Sequence, residues 1–161
     1  MMMFGIFYVV LLRHNQRHRV MEKFIHYVWK HKMTPLGELT TTDGRLVEII
    51  DPGLHNRNAG PDFFNAKLRI DNIVWVGNVE IHVRASDWHR HGHDSDRAYD
   101  SVILHVVAKD DAPVRRSNGE LVPQMVMRCS PLFGERYANL TSTATELPCA
   151  SQIKNVPQLT I

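Results

Sequence analysis

Between Gly77 and Asp96 the chain reads GNVEIHVRASDWHRHGHDSD, a stretch that holds four of its ten histidines. In an extended strand, side chains two apart project from one face, with Cα atoms about 6.6 Å apart. Asn78, Glu80, His82 and Arg84 then share a polar face, while Val79, Ile81 and Val83 share an apolar one that belongs to the core. A carboxylate beside an imidazole is a metal-ligand pairing: carboxylates supply hard oxygens for Mg²⁺ or Mn²⁺, and a neutral histidine nitrogen shifts the preference toward Mn²⁺ or Zn²⁺. Asp62, in the loop before the preceding strand, and Glu48, on the strand before that, are the acids placed to join Glu80 and His82. The competing reading is a solvated strand face, on which Asn, Glu, His and Arg are ordinary occupants. Asp62 after Gly60-Pro61 is equally a common turn or cap residue.

The histidines further on are weaker candidates. His89, His91 and His93 can gather a metal if the backbone is extended, with Asp94 or Asp96 completing a zinc site; in a helical turn only His89 and His93 share a side. Aligned on His91 and His93, HGHDSD fails the HxHxDH pattern of metallo-β-lactamase folds, because Ser95 and Asp96 stand where that pattern needs Asp and His. His105, inside SVILHVV, reads as a core histidine with its hydrogen bonds satisfied.

The elements that must carry these residues follow from periodicity and turn chemistry. MEKFIHYVWKHK, residues 21–32, places Phe24, Ile25, Val28 and Trp29 on one helical stripe, and Pro35 stops the helix. Asp43-Gly44 marks a tight hairpin between two short arms. Residues 51–62, DPGLHNRNAGPD, read as loop throughout. KLRI and IVWVGNVEIHV form a second hairpin around Asp71-Asn72, with a bulge expected at Gly77. SDWHRHGHDSDRAYD allows one or two helical turns, capped by Ser86. SVILHVV, apolar nearly throughout, predicts a strand at the sheet centre. Asn118-Gly119 marks a third hairpin, and Pro123 puts its second arm near an edge. Residues 131–161 lose periodicity and read as a connector.

The order predicts one α+β domain over residues 21–130: an N-terminal helix, then a mixed, largely antiparallel sheet with hairpins and one short helix. The length of 161 residues fits a single domain, and 43% apolar with 22% charged side chains is ordinary for a globular protein. The net charge of +2 arises in the first twenty residues, which carry Arg13, Arg17 and Arg19 and no acid. The remainder is close to neutral, which argues against a broad nucleic-acid footprint while allowing a local basic groove. The apolar run Met1–Leu12 is too short to span a bilayer and lacks the basic start and small-residue cleavage site of a signal peptide. Residues 1–20 are therefore expected to be an upstream extension outside the fold. Cys129 and Cys149 have no CxxC spacing and read as free thiols of a cytoplasmic protein, with a lone disulfide as the other reading.

Two resemblances add to this. The stretch from TTTDGRLVEIIDPG through GPDFFNAK and GNVEIHV to SVILHVV, with HYVWKHK before it and LPCA after it, resembles the bacterial family called domain of unknown function 2851, over roughly Met21 to Pro157. Members of that family are longer and continue into a helical part. The resemblance implies that this chain corresponds to their N-terminal portion, with the missing C-terminal region as a partner. The family name assigns no activity. The order of elements is also similar to that of PD-(D/E)xK nucleases, which place an Asp after Pro at the start of one strand and acid-x-Lys on the next. Pro61-Asp62 and Glu80-Ile81-His82 stand at those positions, with His82 where the pattern has Lys.

The nuclease resemblance implies a restriction-endonuclease-like core. It also implies a metal-dependent phosphodiester hydrolase, with Asp62 and Glu80 as ligands of Mg²⁺ or Mn²⁺ (Zn²⁺ less so) and His82 as ligand or general base. Lys67, on the neighbouring strand, would supply the missing cation, and nucleic acid would be the partner. The alternative from another class is a non-catalytic binding or scaffold domain that uses the polar sheet face. No membrane insertion is expected under either.

Overall fold

The computed structural model describes residues 18–33 and 38–128, together with Tyr137. Residues 1–129 form one compact unit and 130–161 a second, of which only Tyr137 is described. Cys129, Cys149, the first seventeen residues and nearly all of the expected connector lie outside the described residues.

Residues 18–30 are helical (α1), so the helix already includes three residues ahead of Met21. The strands are β1 (Leu39–Thr40), β2 (Leu46–Asp51), β3 (Leu54–His55), β4 (Phe63–Ile70), β5 (Ile73–Arg84), β6 (Val102–Lys109) and β7 (Gln124–Val126). Between β5 and β6 lie the single-turn helix α2 (Asp87–Arg90) and a 3₁₀ turn, Arg97–Tyr99. The sheet order is β1-β2-β4-β5-β6-β7, with β3 paired to β4. Pairing is antiparallel as far as β5 and parallel from β5 to β6 and from β6 to β7. The domain is thus α+β with a mixed, largely antiparallel sheet. Among the described residues no helix is long and apolar enough to cross a membrane.

The first two expected hairpins form, with Thr40 opposite Leu46 around Asp43-Gly44 and Ile70 opposite Ile73 around Asp71-Asn72. The segment 51–62 is not all loop, because Leu54–His55 pairs with Phe63 and Phe64. SVILHVV is an interior strand, buried from Val102 to Val107, but it lies one place from the end of the sheet. The Asn118-Gly119 hairpin closes through an Arg115–Leu121 bridge, after which the chain turns to add β7 at the edge.

The bulge expected at Gly77 sits instead in both neighbours of β5. On β4, two steps of β5 (Val79 to Gly77) face three (Phe63 to Ala66), with Asn65 at φ 55°. On β6, Ile103 is the extra residue between Val102 and Leu104. Asn78 holds both kinks: its Oδ1 accepts from Asn65 N–H at 3.2 Å and its Nδ2 donates to Ser101 Oγ at 2.8 Å. Gly77 is needed for room, since a Cβ there would collide with Ile103 Cγ2 and lie 2.8 Å from Ser101 O. Bulges re-aim side chains beside functional sites. Here they bring Phe63 opposite Val79 and His105 opposite Glu80.

One face of β5 is core: Val79 and Ile81 are buried beside Phe63, Leu104 and Val106, and the Trp29 ring of α1 lies 6.4 Å from that of Phe63. The other face carries Glu80 and His82 toward a second apolar cluster of Ala85, Trp88, Tyr99, Val102, Val107, Val114 and Val122. Polar ligand types therefore sit inside a folded layer rather than on a wetted surface.

Candidate metal centre

Strand β5 presents Glu80 and His82 on the face that parallel pairing shares with His105. The turn after it folds back over that face. Ser86 occupies the helix N-cap position but makes no capping bond; it bonds Asp111 instead, while the Asp87 carboxylate accepts from Arg84 N–H at 3.2 Å. Trp88, fully buried, donates from its indole N–H to Arg115 O at 2.9 Å and anchors the turn. Gly92, at φ +75°, then ends the helical turn in the left-handed conformation that glycine adopts without a Cβ clash. His93 is thereby carried under the sheet.

The result is a histidine cluster. His82 Nε2 lies 3.1 Å from His91 Nδ1 and 3.4 Å from Glu80 Oε1, and His93 Nε2 lies 3.3 Å from the same oxygen. His82, His91 and His93 each offer a ligand atom within 4.8 Å of the others, a group able to hold a metal ion. Four atoms at about 2.0–2.1 Å from one tetrahedral ion are separated by about 3.3 Å. The three contacts, at 3.1, 3.4 and 3.3 Å, lie around that value. The His93 ring stacks between His82 (5.3 Å) and Tyr99 (3.7 Å), yet its buried Nε2 has no aligned hydrogen-bond partner among the described residues. That atom fits a ligand role better than a core role.

Asp62 braces the carboxylate. Its backbone N–H donates to Glu80 Oε2 at 3.0 Å, and its own Oδ2 accepts from Ile81 N–H at 2.9 Å and lies 3.2 Å from His26 Nε2. Burial, then the charge of Asp62, pushes the Glu80 carboxyl up to about 9. Burial and the neighbouring imidazoles hold His82 well below its ordinary value, and burial lowers His91 and His93 as well. His26 goes the other way: burial opposes its charge, but the Asp62 carboxylate outweighs that and raises it.

Of the residues singled out in the sequence, Asp62, Glu80, His82, His91 and His93 come together. The others do not. His89 is exposed and turns to Asp94 (3.2 Å) and Pro113 O (3.1 Å), so the pair sharing the site is His91 and His93, not His89 and His93. Asp96 caps the 3₁₀ turn through Ala98 N–H. Glu48 is exposed and paired with Arg69. Lys67 faces Val76, four residues from Glu80, or roughly 13 Å at the ordinary strand rise. It does not supply the cation missing from the nuclease pattern.

Sequence reasoning missed His26 and underrated His105. His18, Glu22 and His26 lie four apart on α1, a polar stripe beside the apolar one; His18 Nε2 lies 3.2 Å from Asp87 Oδ2 as His26 lies near Asp62. That spacing was a usable signal. His105 Nε2 lies 2.8 Å from His82 Nδ1, and its Nδ1 lies 3.2 Å from Gln124 Oε1, a link that depends on parallel pairing with β7.

The family model described as "Protein of unknown function (DUF2851)" matches residues 22–161. No curated protein and no solved structure matches the chain. With the match running over most of its length, the chain belongs to the DUF2851 family of proteins of unknown function.

Proposed function

We propose that this domain is a metal-dependent hydrolase acting on phosphodiesters. The observation that carries the reading is the convergence of Glu80 Oε1 with His82 Nε2, His93 Nε2 and His91 Nδ1 at 3.1–3.4 Å along the links between them. Its donor set is richer in nitrogen than the two-carboxylate set expected from the nuclease resemblance. Imidazole donors favour Zn²⁺, Mn²⁺ or Fe²⁺ over Mg²⁺, which prefers oxygen and retained water.

The phosphodiester assignment draws on the order helix, antiparallel strands β1–β5, short helix, parallel strand, with Asp62 just before β4 and Glu80 on β5. A divalent ion at such a site lowers the pKa of a bound water and stabilises charge on a phosphoryl oxygen. In this reading Glu80, His82, His91 and His93 bind it. Asp62 fixes Glu80 Oε2 through its N–H and orients His26. The Asp62 carboxylate raises the pKa of His26, which in this reading would serve as the general acid for a leaving oxygen. His91 is exposed whereas His82 and His93 are buried, so substrate approaches from the His91 side.

One observation favours a second reading, in which the ion is structural and the domain binds a partner without catalysis. Glu80, His82 and His93 are only 5%, 2% and 7% exposed, and closed four-ligand sites are the structural kind. Nicking of supercoiled DNA and hydrolysis of bis(p-nitrophenyl) phosphate, each with Mn²⁺ or Zn²⁺, separate the two. Metal-dependent turnover that disappears in His91→Ala and in Glu80→Ala supports the hydrolase. A metal-dependent rise in Tm without turnover supports the structural ion.

A further inference from the structure

Behind His82 a line of hydrogen bonds runs away from the metal-facing side, through His105 on β6 and Gln124 on β7 to the turn after β6. Gln124 Nε2 contacts Asp110 Oδ1 at 3.0 Å and Ala112 O at 3.2 Å. A carboxylate and a carbonyl can only accept, so the amide nitrogen must face them and both its hydrogens are committed. The Gln124 oxygen is left toward His105 Nδ1 at 3.2 Å. An amide oxygen also only accepts, so His105 Nδ1 must carry a hydrogen.

The His105 ring is fully buried, and among the described residues its nitrogens touch only that amide oxygen and another imidazole. With no carboxylate against it, a buried imidazole is neutral. Its Nε2 is therefore a lone pair, aimed at His82 Nδ1 from 2.8 Å. His82 must answer with an N–H at Nδ1. A neutral His82 then has its lone pair at Nε2, the atom that lies 3.4 Å from Glu80 Oε1 and 3.1 Å from His91 Nδ1.

We infer that His105 and Gln124 are positioning residues that lock His82 in the Nδ1–H tautomer, with its Nε2 lone pair toward His91 and Glu80. The inference rests on the metal reading for its purpose but not for its geometry. Protein metal sites commonly fix a ligating histidine through a hydrogen bond from its other nitrogen, and loss of that partner typically costs about 10–100-fold in metal affinity. Here the partner is a second imidazole, and the direction of the chain is imposed by Asp110 and Ala112, at its far end. This use of His105 differs from a core histidine that merely satisfies its own polar atoms, because the direction of its two hydrogen bonds decides the chemistry of a neighbour.

The test is ¹⁵N NMR of histidine-labelled, metal-free protein, which reports which ring nitrogen carries the proton. The wild type is expected to show His82 and His105 both protonated at Nδ1; His82 protonated at Nε2 overturns the inference. In Gln124→Met, which removes the acceptor while keeping side-chain length, the His82 and His105 signals should shift toward a tautomer mixture. Zn²⁺ affinity should fall about 10–100-fold, with circular dichroism unchanged. A Gln124→Met protein that loses affinity with its tautomers unchanged contradicts the inference. The expected tautomers in a wild type that takes up no metal would support the relay while removing the metal reading.

Discussion

Asp62 and Glu80 clasp each other across adjacent strands. The Asp62 N–H donates to Glu80 Oε2 at 3.0 Å, and the Asp62 carboxylate accepts from the N–H of Ile81, the next residue, at 2.9 Å. The clasp fixes one Glu80 oxygen and leaves Oε1 directed at the imidazole nitrogens of His82 and His93. A buried carboxyl so placed is stable in its neutral form unless a cation arrives.

That arrangement sets the pH profile of the metal-free protein. Glu80 is raised from 4.5 to about 9, so its contribution is present below pH 4.5 and is lost as pH rises toward about 9. His105 is depressed from 6.5 to about 4 by burial, so its contribution is present above 6.5 and is lost as pH falls toward about 4; His82 acts in the same direction. Thermal melts across pH 4–9 should give greatest stability near pH 6–7. Glu80→Gln should flatten the alkaline limb and leave the acid limb in place. A wild-type Tm that climbs steadily to pH 9 would contradict this.

Gly77→Ala should destabilise the domain by about 1–3 kcal/mol, the usual cost of overpacking. The added methyl would collide with Ile103 Cγ2 and Ser101 O, where β6 bulges toward β5. Because that bulge sets His105 opposite Glu80, metal affinity should fall along with stability. Urea unfolding with and without Zn²⁺ measures both, and an Ala variant as stable as wild type would show that the bulge yields freely.

Turn chemistry made much of this legible beforehand. Asp43-Gly44 and Asp71-Asn72 announced their hairpins, and the alternation NVEIHVR announced which residues of β5 face the core. What stayed hidden depended on contacts between distant segments. No local signal told that β4 and β6 would both bulge beside Gly77, or that β7 would pair in parallel and deliver Gln124 to His105. The choice among His89, His91 and His93 turned on where a single helical turn ends: Gly92 in the left-handed conformation sends His93 inward and leaves His89 outside. A four-residue helix carries too little periodicity to reveal that.

Asn56 should prove to be the organiser of the loop that delivers Asp62. Its side-chain N–H groups contact the carbonyls of Asn58, Ala59 and Pro61 at 3.0–3.2 Å, its Oδ1 accepts from Asn58 N–H, and its backbone N–H donates to Asp62 O at 2.7 Å. Asn56→Ala should cost about 1–3 kcal/mol. Amide exchange of residues 57–62 should accelerate while that of β6 stays slow; unchanged exchange in the loop would contradict the assignment.

The central claim is that this chain binds one metal ion through Glu80, His82, His91 and His93. Because His91 is exposed, its removal leaves the apolar cluster around Trp88 intact. Titration of metal-stripped protein with Zn²⁺ and Mn²⁺ by calorimetry, for wild type and His91→Ala, is the most direct test. The account predicts one ion per chain for the wild type, with affinity at least about tenfold lower in a folded His91→Ala protein. Equal binding in the two proteins, or none in either, would contradict it.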